Sequence, residues 1–248
     1  MLGRQTWLMI AVSISILAAN MHAAELSEKS VRKQTGIEKR ELWTTGNIHG
    51  SPEPPDRFTT QDAFPKLKFH EPLSVGAVPG QNRFGVATRP GKIYLFDNRP
   101  DVSESELILD LKHTTYGLAF HPKFATNRQI FVTYIVDPAK TDENGSRLSR
   151  FEIGASPEAT LKSEKIILEW PSGGHNGGCL RFGPDGYLYL ATGDGSGIAD
   201  GLDTGQNIKD LLGSILRIDV DQPEGRRAYS VPADNPFANR KDARGEIW

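Results

Sequence analysis

Four glycines flank a histidine and an asparagine in the run Gly173-Gly174-His175-Asn176-Gly177-Gly178, and nineteen residues past His175 stands Asp194, between Gly193 and Gly195. Imidazole is the side chain best suited to exchange a proton near neutral pH, and a neighbouring carboxylate fixes its tautomer and raises its basicity. Glycines on both sides open backbone conformations closed to other residues and let a planar ligand approach the main chain. These residue types point to general-base catalysis beside a flat molecule. They also suit a histidine that merely satisfies backbone groups of its own loop, and the run alone leaves both readings open.

For the pair to act, the chain has to carry Asp194 back to His175. Gly178 to Phe182 and Tyr187 to Thr192 read as strands on either side of the turn Pro184-Asp185-Gly186. A hairpin returns its far end beside its start, so both side chains are expected on one rim. Similar short β-type runs occur at Arg83 to Thr88, Lys92 to Phe96, Gly117 to Phe120, Gln129 to Val136, Arg147 to Ile153, Lys165 to Trp170 and Ser214 to Val220. The segments Phe120-His121-Pro122 with Ile130 to Tyr134, and Phe182 to Gly186 with Tyr187 to Ala191, share one plan: strand, proline-containing turn, aromatic strand. The hairpin Val86 to Phe96 looks related. Starts near 84, 130 and 187 lie 46 and 57 residues apart, a period that suits four-stranded propeller blades of ~40 to 50 residues plus loops. The fold class is therefore all-β, a β-propeller. The residues from 66 to 248 suffice for about three to four blades, an arc that does not close into a ring.

Composition agrees and narrows the partners. The 248 residues include 25 Gly and 16 Pro, which suits many strands joined by tight turns. A formal charge of −2 gives no footprint for a phosphate backbone, so nucleic acid is not an expected partner. Residues 1–24 read as a secretory signal peptide, with Arg4 before the apolar run Trp7 to Ala19 and small residues at Ala23 and Ala24. Secretion or export to a periplasm is the expected destination. Residues 25–65 read as a polar lead-in or linker, and 66–248 as the partial propeller domain. Cys179 is the one cysteine, so no disulfide forms within the chain.

Several motifs together carry a resemblance. The runs His175-Asn176-Gly177-Gly178, Leu180 to Gly186 and Gly193-Asp194-Gly195, with Gly117 to Phe124, Gln206-Asn207 and Leu211 to Val220, are similar to the signature of the glucose/sorbosone dehydrogenase family over about residues 73–248. The resemblance implies a six-bladed propeller holding pyrroloquinoline quinone and calcium, which oxidises the C1 hydroxyl of an aldose. It implies that His175 removes the hydroxyl proton while hydride passes to the quinone, and that Asp194 orients His175. Asn176, Gly177 and Lys112 would then face the cofactor. Lys112 is a departure, because five positions before Gly117 the family usually has Gln or Glu, and a different substrate choice is expected. The family's arginine-asparagine-proline segment and its calcium ligands are expected beyond Trp248, which would leave these residues alone inactive. An external electron acceptor, such as a cytochrome, completes the implied scheme.

Other residues weigh less. Asp200, Asp203 and Asp210 offer hard oxygen ligands for calcium, but their spacing is not that of an EF-hand loop and a solvated turn suits them better; no metal ligand is assigned. His121, before Pro122, reads as a turn residue, Asp219 and Asp221 as a strand end without chemistry, and Cys179 as a small buried residue. Two competing functions remain. One is an extracellular propeller that binds carbohydrate or protein without catalysis; the other is a calcium-dependent lactonase-type hydrolase, which the glycine cluster suits less well.

Overall fold

The computed structural model describes residues 59–248, apart from 138, 140 and 141. The segment read as a signal peptide, and most of the lead-in, lie outside the described residues. Three antiparallel sheets follow one another along the chain. The first contains β1 (Pro72–Ala77), β2 (Arg83–Thr88), β3 (Lys92–Asp97) and β4 (Glu106–Asp110). The second contains β5 (Thr114–Phe120), β6 (Gln129–Ile135), β7 (Ser146–Glu152) and β8 (Lys165–Trp170). The third contains β9 (Gly177–Phe182), β10 (Leu188–Thr192) and β11 (Ile215–Ile218), and a bridge from Leu216 to Ile247 begins a fourth position. Each sheet is a meander in chain order, the arrangement of a propeller blade. Among the described residues two short helices are the exceptions, α1 (Phe124–Asn127) and α2 (Pro157–Lys162). Ser156 caps α2 by accepting the Ala159 amide, and Pro157 opens it without losing a bonded N–H.

All the strands expected from sequence are present, β2 and β8 with the expected ends and the others with shifted ones, and two more were not foreseen. β1 lines the inner rim and has little burial to pattern it, while β4 is a short Leu-Ile-Leu run between acidic residues. The repeat starts near 84, 130 and 187 fall on β2, β6 and β10, the second strand of every blade. One likeness is corrected. The hairpin from Val86 to Phe96 joins second and third strands, whereas the two proline-turn hairpins join first and second.

The core consists of seams between blades. Along β6, Ile130, Val132 and Tyr134 face the first blade and pack with Ile93, Leu95 and Leu109, while Phe131 faces the third and packs with Leu180, Leu188 and Leu190. The period of two in a strand turns one sequence toward two cores. Each blade face is therefore buried only where another blade or a covering segment packs against it. The outer face of the first blade is covered by Phe64, Leu67 and Phe69; Phe64 meets the rings of Phe84 and Phe96 edge-on at 5.9 and 5.0 Å. Phe64 belongs to the stretch read as lead-in.

The innermost strands β5 and β9 run side by side in the same direction, with Gly117 beside Gly178 and His121 beside Phe182. The first contact is so close that a Cβ on Gly117 would lie 2.1 Å from the Gly178 carbonyl oxygen. Thr133 on β6 donates its hydroxyl to that same oxygen at 2.6 Å. At the other end of the seam His121, expected as a turn residue, joins two blades. Its Nδ1 accepts the Lys123 amide at 3.0 Å and the Asn127 side-chain N–H at 2.7 Å, so its Nε2 carries the proton and donates to Asp221 at 2.9 Å. Asp221, assigned no chemistry from sequence, is thus half of an inter-blade latch, with Lys123 on its other oxygen at 3.1 Å.

Two outcomes follow. Gly117→Ala is expected to destabilise the chain by about 1–3 kcal/mol in urea titration, since backbone has to move to admit the methyl, whereas Gly197→Ala, with open space around it, should stay within about 0.5 kcal/mol. Burial pushes the His121 pKa below its usual 6.5 despite Asp221. The unfolded chain then binds more protons than the folded one as pH falls through 6.5, so stability should decline from there downward. Unfolding free energies measured across that range should lose this slope in His121→Gln.

Candidate functional site

The turn between β9 and β10 brings the predicted pair together. Arg181 pairs with Tyr189, Leu180 with Leu190 and Cys179 with Ala191, so the ladder returns the chain to its starting point after Thr192. Beyond the regular strands an irregular ladder continues it: the Gly193 amide donates to the Asn176 carbonyl (3.1 Å), the Gly195 amide to the His175 carbonyl (2.9 Å), and the His175 amide to the Ser196 carbonyl (2.8 Å). Gly193 is required at this approach, because a Cβ there would lie 2.1 Å from the His175 carbonyl oxygen. The outcome is a contact of 3.1 Å between His175 Nδ1 and Asp194 Oδ1.

The environments of the two groups differ. The His175 ring is 56% exposed and the Asp194 carboxylate 20%. The same Oδ1 of Asp194 also accepts the Ser196 amide at 2.9 Å. That amide, with the His175 ring adding to it, holds the Asp194 carboxyl below the usual carboxylate range. Asp194 is thus an anion near neutral pH, and it orders the ring with Nδ1 protonated and Nε2 as a free lone pair.

The other predicted residues occupy distinct places. Asn176 is buried, and its amide is taken up inside the loop: Oδ1 accepts the Gly173 N–H and Nδ2 donates to the Gly173 carbonyl, both at 2.8 Å. Gly177 lines a cleft of about 510 Å³ along the inner strands, with Leu73, Val75, Tyr116, Cys179 and Arg181 among its walls. Lys112 is exposed, with φ of 56°, on the link from β4 to β5; this link lies at the same end of the strands as His175. Its charge reaches Glu158 on α2.

The expectation of a buried Cys179 fails. β9 is the innermost strand of its blade, and its alternation turns Gly177, Cys179 and Arg181 to the cleft and Gly178 and Leu180 to the neighbouring blade. Sequence reasoning also missed Arg181, among the described residues the one charged side chain lining the cleft. Its i+2 relation to Cys179 was the available signal. In the acidic loop, Asp200 accepts the Thr204 and Gly205 amides, both at 2.9 Å, and Asp210 accepts the Leu212 amide at 2.6 Å. Among the described residues no group of three or more His, Cys, Asp or Glu is placed to hold a metal ion.

Comparison with known proteins places this geometry in context. The family model described as Glucose / Sorbosone dehydrogenase matches residues 69–248. The HIPL2 protein of Arabidopsis thaliana is 30% identical over 230 residues, 68% of this chain and 33% of that protein. The Hedgehog-interacting protein of Homo sapiens is 30% identical over 140 residues, 53% of this chain and 20% of that one. The PQQ-bound aldose sugar dehydrogenase of Streptomyces coelicolor superposes with a TM-score of 0.55 at 22% identity, covering 73% of this chain and 50% of that one. The chain thus spans about a third of the first relative and half of the solved structure.

Asn176→Asp keeps the size of the side chain but sets an oxygen against the Gly173 carbonyl. Hydrogen exchange at the Gly174 and His175 amides should accelerate by about tenfold or more, the scale of one lost buried hydrogen bond. Exchange in β6 should not change.

Proposed function

The chain belongs to the glucose/sorbosone dehydrogenase family, and from that premise we propose that it is the base-bearing part of a sugar dehydrogenase acting on the C1 hydroxyl of an aldose, with pyrroloquinoline quinone as cofactor. The observation that carries this reading is the 3.1 Å contact between His175 and Asp194, beside the Gly177 and Thr192 end of the inner cleft. Nε2 of His175 takes the hydroxyl proton, and the Asp194 charge steadies the imidazolium that forms. The exposure of the ring gives a sugar access to it.

The cleft suits a flat, carboxylate-bearing ring. Gly177 presents bare backbone, Tyr116 an aromatic surface, and Arg181 a cation, while among the described residues no acidic one lines the space. When bound, the quinone supplies the acceptor for two electrons that no side chain provides. Asn176 contributes by holding the His175 loop in shape, and Lys112, at the same end, is assigned to cofactor or substrate contact. The described residues do not make up a calcium site, so calcium is given no step. An external electron acceptor such as a cytochrome, and export from the cytoplasm, complete the proposal.

A second reading has one observation behind it. The similarity to a protein named for interacting with Hedgehog favours a propeller that binds a partner without turnover. Dye reduction separates the two. With pyrroloquinoline quinone, calcium and a panel of aldoses, the protein extended to the length of its relatives should reduce dye, and His175→Ala should lower the rate by ~10² to 10⁴. Binding of a sugar without any dye reduction would favour the second reading.

A further inference from the structure

The loop that follows Asp194 is more tightly built than a solvated turn requires. Ala199, Asp200 and Asp203 all have left-handed backbone, with φ of 54°, 50° and 54°. Such conformations are costly for residues other than glycine and persist only where surrounding contacts impose them. Those contacts are present. The Asp200 carboxylate accepts the Thr204 amide on Oδ1 and the Gly205 amide on Oδ2, both at 2.9 Å. Ser196 Oγ accepts the Gly201 amide at 3.1 Å. The buried Thr204 hydroxyl lies 2.7 Å from the Asp194 carbonyl oxygen and 3.2 Å from Asp200 Oδ1. It has one proton to give, and the shorter contact is to Asp194.

Asp194 is therefore gripped twice from this loop, at its carbonyl by Thr204 and at its carboxylate by the Ser196 amide. We propose that Thr204, held by Asp200, is a positioning residue that fixes Asp194 and through it the Nδ1-protonated tautomer of His175. This rests on the reading of His175 as the base, since only that tautomer leaves Nε2 free to accept a proton. It also gives a role to an acidic loop that the sequence left between a calcium site and a surface turn. The strain is the cost of aiming a carboxylate from a loop rather than from a strand.

The tautomer of a histidine is visible in long-range ¹⁵N–¹H correlation spectra, which need neither cofactor nor turnover. The molecule carries its own control, because His121 holds the opposite tautomer through contacts far from this loop. At alkaline pH, with both rings neutral, the unaltered chain should show one dominant Nδ1–H form at His175 and an Nε2–H form at His121. Thr204→Val should reduce the ratio of the two His175 tautomers by about fivefold, the scale of one intramolecular hydrogen bond, with His121 unchanged. Thr204→Ser, which restores the hydroxyl, should recover the ratio. In the active, extended protein the same exchange should lower kcat with KM little altered. A His175 tautomer unaffected by Thr204→Val while His121 keeps its own would overturn the inference. So would a loss that Thr204→Ser does not repair. Should the tautomer respond as expected and no aldose be oxidised, the positioning role stands and the dehydrogenase reading falls.

Discussion

The carbonyl oxygen of Gly178 receives the Thr133 hydroxyl from the neighbouring blade and lies against the bare Cα of Gly117. This contact sets where β9 begins, and everything at the site is measured from that point. His175 stands three residues before it, on a loop with no strand of its own, and Asp194 returns to it only because β10 is paired in register with β9. A larger residue at Gly117 would push the two inner strands apart and move the origin of the loop. The seam packing of β6 between two cores supports the same alignment from the side, with Phe131 and Leu180 in one cluster and Val132 and Leu118 in the other. Site geometry here is a consequence of how blades meet.

The histidine–aspartate contacts at His121 and His175 make an instructive contrast. At His121 the ring is enclosed, Nδ1 is occupied by two donors and Nε2 by Asp221, so no lone pair remains for a reaction. At His175 only Nδ1 is engaged and the other face of the ring meets solvent. Pairing with a carboxylate is common to both. What separates a latch from a candidate base is the unoccupied second nitrogen, together with a cleft nearby.

Much of this was legible in the sequence, and the reasons are specific. The hairpin around Pro184-Asp185-Gly186 has strong turn chemistry between aromatic strands, so the meeting of His175 and Asp194 followed from counting. The repeat was visible through the second strands β2, β6 and β10 because each carries aromatic or aliphatic residues next to a turn, most plainly in β6, where every residue after Gln129 is buried. β1 escaped because an innermost strand faces a cleft, where alternation between apolar and polar residues is weak. Cys179 was misplaced for the same reason: a thiol between Gly178 and Leu180 reads as core unless the strand is known to be innermost. The pairing of His121 with Asp221 joins residues a hundred positions apart, and no local pattern announces a contact between the turn of one blade and the strand end of the next.

Because consecutive residues of β6 serve opposite cores, inserting or deleting one residue there would turn both seams inside out at once. Length can change safely only between strands. The repeats differ in just that way, since the link from β2 to β3 is the tight turn at residues 89–91, while the link from β10 to β11 runs over residues 193–214 and carries Asp194, Asp200 and Thr204. The architecture thus separates what must be conserved in length from what is free to vary. New specificities can be explored by remodelling that long excursion, with the framework beneath it left as it is.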